Sequence, residues 1–589
     1  AGSPADGVLA VNDVILGASG DGSAPVNFTI DARRGLAAAI ADAEARTPAE
    51  LQLIRWRAGV QTTVTLTLRT MGAYTATAPY SCPKSEQILE EGMDYYYNNE
   101  SSGRYRFGAL SLLAAQHSSI SDSALYLQQA QNEARALIKS ASELTALRDY
   151  TAGTGYPTPW GRAHELILLG EYYLITGDTQ VYDTIEALAI NIAKGSSHFG
   201  TVAHSLRLGA YDGSTSYRPV NTGYGVVNSI GMPCLIGVQL AKECGVSDPV
   251  VDQMIDRAKM FYASYAKRGS IPYGEHDPFD ARHENNGKNG LAAVILDNDA
   301  AYEDQGEFFV QMALASGDTD RDVGHTGAFF NYLWAPLGVQ RGGPPAVKEY
   351  FKKVSWMLDL HRRWDGGFDY DSYSENRAPN GNEYYDYRMS TAMLLTYALP
   401  LESLHITGRD STGTLALSAT QVTDSVDVED YDATPRTIAE LVGDLASWSP
   451  KVRLLAAAEL GGRSVDTATR DDIRAKALDV NGSSRYGAVQ ALGEIDDTGF
   501  TSQLVSLLND NDGYVRTLAA KALHQFAGSH KVPHRAALLT TLVSREQPVL
   551  PPVSDSPLQF DQAALITAIF GGGGLVNSRS EMVLSLIHI

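Results

Sequence analysis

Two loops of this chain hold its densest clusters of side chains able to carry protons or polarise a substrate. The first is Tyr273-Gly274-Glu275-His276-Asp277-Pro278-Phe279-Asp280-Ala281-Arg282-His283-Glu284-Asn285-Asn286-Gly287-Lys288, which sets four carboxylates, two histidines, an arginine and a lysine ahead of a helix. The second runs Trp364-Asp365-Gly366-Gly367-Phe368-Asp369-Tyr370-Asp371-Ser372-Tyr373-Ser374-Glu375 and continues through Tyr384, Tyr385 and Arg388. Trp160-Gly161-Arg162-Ala163-His164-Glu165 and Gly324-His325-Thr326-Gly327 are smaller groups of the same kind. A carboxyl in a partly desolvated aromatic site keeps its proton toward neutral pH. Two carboxyls about 5–10 Å apart are what glycosidic cleavage needs. That chemistry would use Glu275, Asp277, Glu284 and Asp371 as acid–base groups, with His283, His325, Tyr385 and Arg388 polarising or positioning substrate. Trp160, Trp364 and Tyr373 offer flat faces to sugar rings, and Arg162, Asn285 and Lys288 offer polar contacts. The same histidines, tyrosine and arginine suit β-elimination beside a uronate carboxylate, so hydrolase and lyase chemistry both stay open.

Other chemistries fit less well. Asp369, Asp371, Tyr373 and Glu375 alternate in the manner of a calcium loop but lack its glycine spacing. No cofactor is therefore the expectation, with calcium the alternative. His276, His283 and Glu284 could hold a transition metal, yet no H-E-x-x-H occurs, and neither a phosphate loop nor a nucleophile elbow is present. His361-Arg362-Arg363, near a helix end, reads as a solvated basic cluster favoured by the helix dipole. The formal charge of −22, from 47 Lys+Arg against 69 Asp+Glu, argues against nucleic acid or an anionic membrane surface as partner. No apolar run approaches the roughly 18–20 residues of a membrane helix. Cys82, Cys234 and Cys244 are too few for a disulfide framework. Tyrosine outnumbers phenylalanine 30 to 15, with 27 of the tyrosines between Tyr74 and Tyr397. Each buried hydroxyl needs a partner, so this excess points to a polar-lined groove or to half-exposed helix positions.

The elements that must position these loops are mainly α-helical. Residues 84–405 repeat one grammar six times, a polar Gly-bearing loop followed by a small-residue helix. The blocks are 104–108 before 109–116, 156–162 before 163–175, 221–225 before 226–241, 285–290 before 291–296, 324–327 before 328–337, and 384–388 before 389–398. Paired inner and outer helices with loops gathered at one end predict an (α/α)6 toroid whose mouth carries the candidate residues. Before it, residues 1–78 form a partial α+β domain with a helix over 31–45 and strands near 51–56 and 62–68. Residues 406–448 read as an acidic linker with one short helix near 437–445. Residues 449–583 carry a repeat in which Arg453, Arg485 and Arg516 recur 32 and 31 residues apart.

Several resemblances follow from these motifs. Gly2-Ser3-Pro4-Ala5 followed by Leu9-Ala10-Val11-Asn12-Asp13-Val14-Ile15-Leu16 resembles the second half of a PDZ domain of the bacterial protease-associated type, which implies peptide capture or a structural docking role. Val452-Arg453-Leu454-Leu455-Ala456-Ala457 and its two echoes resemble short HEAT repeats, each a helix pair that buries its apolar face only against neighbours. PDZ-like segment, toroid with His283-Glu284-Asn285-Asn286-Gly287-Lys288, and HEAT-like α-solenoid together resemble an uncharacterised bacterial family of secreted-type proteins. That resemblance implies a periplasmic or extracellular address and supplies no activity. The toroid resembles polysaccharide hydrolases and lyases, and terpene cyclases, whose D-x-D-D signature is missing. The expectation is therefore a carbohydrate-active enzyme on a polysaccharide or glycoconjugate; the alternative is a non-catalytic scaffold binding protein partners, and the third a small-molecule enzyme. Residues 584–589, Leu-Ser-Leu-Ile-His-Ile, match a translated sequencing adapter, so a metagenomic fragment is expected.

Overall fold

Period-two alternation in the N-terminal segment builds a small antiparallel sheet. β1 (Val14–Ser19), β2 (Val26–Asn27), β3 (Glu50–Arg57) and β4 (Val60–Thr67) lie in the order β2-β1-β3-β4. Between β2 and β3 runs α1 (Ala32–Glu44), started by Asp31, whose side chain accepts the Arg33 N–H at 2.9 Å. α1 lays Ala39 and Ala43 in one cluster with Leu51, Leu53 and Leu66 of the sheet. The computed structural model describes residues 2–541 apart from 30, 100–105, 118, 151–157, 208, 211–224, 275–276, 318–319, 321–328, 369–389, 481, 535 and 539. Residues 584–589 thus lie outside the described residues.

The rest is helical. α2 (Pro83–Asn99), α3 (Phe107–Ala114), α4 (Ser123–Arg135), α5 (Ala141–Asp149), α6 (Pro159–Thr176), α7 (Tyr182–Lys194), α8 (Asn228–Glu243) and α9 (Pro249–Ala263) are followed by α10 (Lys288–Leu296) and α11 (Glu303–Leu314). α12 (Phe329–Gln340), α13 (Pro344–His361) and α14 (Ser390–Ala398) complete the region. α6 packs on α3 and α8, α10 on α8 and α12, and α14 on α12 and back on α3. These six helices have little polar surface, and α3 and α10 are buried at every residue. Small residues bring their backbones together: a Cβ added at Gly290 of α10 would lie 2.3 Å from the Trp334 carbonyl oxygen of α12. The helices between them are amphipathic; α9 buries Val251, Met254, Ala258 and Phe261, a stripe at helical spacing.

Several of the described tyrosines commit their hydroxyls to bonds within the helical region, while others, Tyr97 among them, sit at half-exposed positions as expected. Tyr172 bonds Asp178 at 2.8 Å, Tyr262 bonds Thr201 at 2.7 Å, and Tyr74 bonds Asp359 at 2.9 Å, each ring being buried or nearly so. In the basic run at the end of α13, expected to be solvated, Arg363 keeps a side chain 37% exposed but that of Arg362 is only 6% exposed. Arg362 is buried and sits 2.6 Å from Glu44 at the end of α1, with Lys84 of α2 3.0 Å from the same carboxylate and Asp359 beside both. This charge cluster joins the sheet to the helices.

Beyond residue 405 come α15 (Ala419–Asp427), α16 (Ile438–Asp444), α17 (Pro450–Gly461), α18 (Thr467–Ala477), α19 (Gly482–Glu494), α20 (Thr501–Leu507) and α21 (Gly513–Gln525). α15 was not foreseen; Ser418 and Gln421 form a capping box that starts it, and it packs on α11 and α13. α17, α19 and α21 stack in succession, with α18 and α20 behind, as HEAT repeats require. The recurring arginines explain the repeat's shape. Arg453 donates to the carbonyls of Ser447 and Trp448, and Arg516 to those of Asp510 and Asn511, so each pins the turn that precedes its own helix. Among the described residues no helix is long and apolar enough to cross a membrane.

Candidate functional site

The polar loop between α9 and α10 divides its residues between two tasks. Its first half bonds the repeat helices. The Asp277 carboxylate lies 2.8 Å from Lys521 Nζ of α21, and Asp280 accepts from Gln490 of α19 at 3.0 Å. Just upstream, Arg268 donates to Asp512 at 3.0 Å, and Arg453 donates to the Lys267 carbonyl at 2.5 Å. His283 is fully buried in the same seam: Nε2 is 2.7 Å from Ser449 Oγ, and the ring stacks on Trp448 with centroids 6.2 Å apart. Ser449 in turn caps α17 by accepting the Val452 N–H. Burial, reinforced by the charges of Lys451 and Lys353, holds the imidazole well below its ordinary pKa, so His283 is neutral.

The second half of the loop builds the start of α10. Glu284 Oε1 accepts the N–H groups of Asn285, at 2.7 Å, and Asn289, at 3.3 Å, and so caps the helix with a buried carboxyl. Asn289 ties the loop down, donating to the His283 carbonyl at 2.6 Å and accepting the Ile271 N–H at 3.2 Å. Gly287 has φ +74, and a Cβ there would lie 2.3 Å from the Phe330 carbonyl oxygen of α12, so this position needs glycine twice over. Lys288 follows, 1% exposed. Burial raises the Glu284 pKa despite two N–H donors and the charge of Lys288, and Asp320 adds to the rise. Burial likewise lowers Lys288 against the pull of Glu284.

Trp160, in the first turn of α6, stacks on Phe330 at 6.2 Å and on His204 at 6.0 Å. Its indole N–H reaches His204 Nδ1 at 3.3 Å, and Tyr273 meets the other ring nitrogen at 3.3 Å. Phe330 lies in the first turn of α12, so this stack bridges the N-terminal ends of α6 and α12. Arg162 is drawn sideways to Asn191 of α7. Trp364 is elsewhere, half exposed on the loop after α13 and 3.5 Å from where a Cβ on Gly2 would lie.

Of the predicted residues, the fold therefore brings Glu284, Asn285 and Lys288 together, and links them through Phe330 to Trp160. It turns Asp277 and His283 to the repeats, and it separates Trp364. Glu275, His325, Asp371, Tyr373, Tyr385 and Arg388 lie outside the described residues. Among the described residues no three of His, Cys, Asp and Glu gather as a metal site would need. Sequence reasoning overlooked Asn331, whose signal was a lone amide inside the apolar run of α12.

Residues 85–408 match a family described as a domain of unknown function (DUF6288), and residues 438–546 match HEAT repeats. No curated protein matches the chain. Two solved structures are similar over long stretches. An engineered protein is 14% identical, covering 79% of this chain and 99% of its own, with a TM-score of 0.21. A karyopherin bound to a SUMO protease is 13% identical, covering 82% of this chain and 45% of its own, with a TM-score of 0.18. At these TM-scores neither bears on the fold.

Proposed function

The chain belongs to the family described as a domain of unknown function (DUF6288), and from that premise we propose that it is an interaction scaffold in which an (α/α)6 toroid, preceded by a PDZ-like half domain, presents HEAT repeats to a protein partner. One observation carries this reading. Two of the residues expected to be catalytic, Asp277 and His283, instead bond α21 and the cap of α17, and Asp280 between them bonds α19. A loop so committed holds the solenoid against the helical region and leaves the outer surfaces of the repeats to others. The turn between α18 and α19 exposes Leu478 at 59% and Val480 at 97%, an apolar pair suited to an apolar segment of a partner.

Selection of the full chain against a displayed-peptide library tests this. Enriched peptides should bind the parent and lose at least tenfold affinity to a Leu478→Asp, Val480→Asp chain of unchanged melting temperature. Equal binding to both chains removes the repeats as the partner site.

A second reading, polysaccharide hydrolase or lyase, is favoured by the buried carboxyl of Glu284, whose raised pKa suits a general acid. A glycan panel decides it. New reducing ends or unsaturated products that vanish in Glu284→Gln would establish the enzyme, and silence across neutral and uronate glycans leaves the scaffold.

A further inference from the structure

The start of α10 holds buried polar groups that the scaffold does not use. Lys288 is 1% exposed, and its Nζ has no hydrogen-bond partner among the described residues. Glu284 is fully buried with Oε1 engaged and Oε2 unpartnered in the same sense. Asn331, on α12, is fully buried with neither amide atom bonded among the described residues.

Packing places Asn331 beside the other two. A Cβ on Gly287 would lie 3.2 Å from the Asn331 Cα, one on Gly290 would meet Trp334 and Ala335, and one on Gly338 would meet Gly290. Residues 331, 334, 335 and 338 recur at helical spacing, so they form the face of α12 turned to α10, and Asn331 sits on that face at the level of Gly287. Glu284 and Lys288 are four apart at the same helix start and feel each other's charge without a hydrogen bond between them. Phe330 closes the same level from the Trp160 side.

A buried ammonium and a buried amide without partners have given up their hydrogen bonds to water for nothing in return. Such groups call for an explanation, and a bound ion is one that accounts for the ammonium and the amide together. Donors dominate here: the ammonium has three N–H groups and no acceptor, the amide has two, and the N-terminus of α10 adds its dipole. A protonated Glu284 would add an O–H. We propose that the buried polar cluster at the start of α10 is a binding site for a small oxyanion, a carboxylate or phosphate group, held by Lys288 and Asn331.

The test uses the full chain at constant ionic strength, with acetate, glucuronate and inorganic phosphate as probes and glucose as the uncharged control. Thermal melting and calorimetric titration should show a saturable response to at least one oxyanion and none to glucose. Acetate and glucuronate together without phosphate would identify a carboxylate ligand; phosphate alone would identify a phosphate group. Lys288→Met, an apolar chain of similar length, should abolish the response, and Asn331→Leu should weaken it at least tenfold. Asn331→Leu also serves if Lys288→Met does not fold. No response to any oxyanion, an equal response to glucose, or a response undiminished in the variants overturns the site.

Discussion

A buried charge is informative because its partners must be found within the molecule. Glu44 shows this at the joint between sheet and helices. Burial raises its pKa, but Arg362 and Lys84 more than reverse that and hold it below the ordinary value. Glu44→Ala leaves two buried cations sharing the single carboxylate of Asp359, and a loss of about 3–5 kcal/mol is expected in denaturant titration. His283 works in the opposite chemical sense. Its folded pKa lies well below the ordinary 6.5 because the ring is buried, so an unfolded chain binds a proton that the folded one refuses. Its contribution is complete above about pH 6.5 and is lost as pH falls from there toward the folded value. Stability of the parent should therefore drop more steeply below pH 6.5 than that of His283→Gln; parallel curves would show that the ring titrates freely.

Elements were the most legible level of the sequence. The helix at 31–45 and the strand at 51–56 appear within one residue of their expected ends, and each of the three recurring arginines falls on a helix, because apolar period and caps are local signals. The polar loop ahead of α10 was not legible in the same way. A loop rich in carboxylates and histidines has one appearance whether it faces a substrate or another part of the chain, and the deciding partner of His283 is Ser449, 166 residues away. The Arg453 pattern could be recognised as a repeat, while its task could not. Because Arg453 is 1% exposed and satisfies three carbonyls, Arg453→Ala should cost about 1–3 kcal/mol for each carbonyl left dry. Urea titration checks this against Arg463→Ala, whose half-buried side chain should cost less. Gly287→Ala should be costly for a different reason, about 1–3 kcal/mol from the clash with the Phe330 carbonyl.

The described residues form three apolar clusters, one in the sheet, one in the helices before residue 423 and one in the repeats. Polar seams join them, the Glu44 cluster at one joint and the Arg268, Asp277, Asp280 and His283 contacts at the other. Calorimetry of the parent should show the repeats and the helical region unfolding together, whereas Arg268→Ala with His283→Ala should separate them into two transitions. Two transitions already present in the parent would mean that the seam carries little of the stability. The same seam has a consequence for how relatives diverge. Position 277 answers to 521, 280 to 490, 268 to 512 and 283 to 449, so drift at one member of a pair strands the other. Lineages of this family that keep their repeats should change these positions two at a time, while those that have shed the repeats should let 277, 280 and 283 wander.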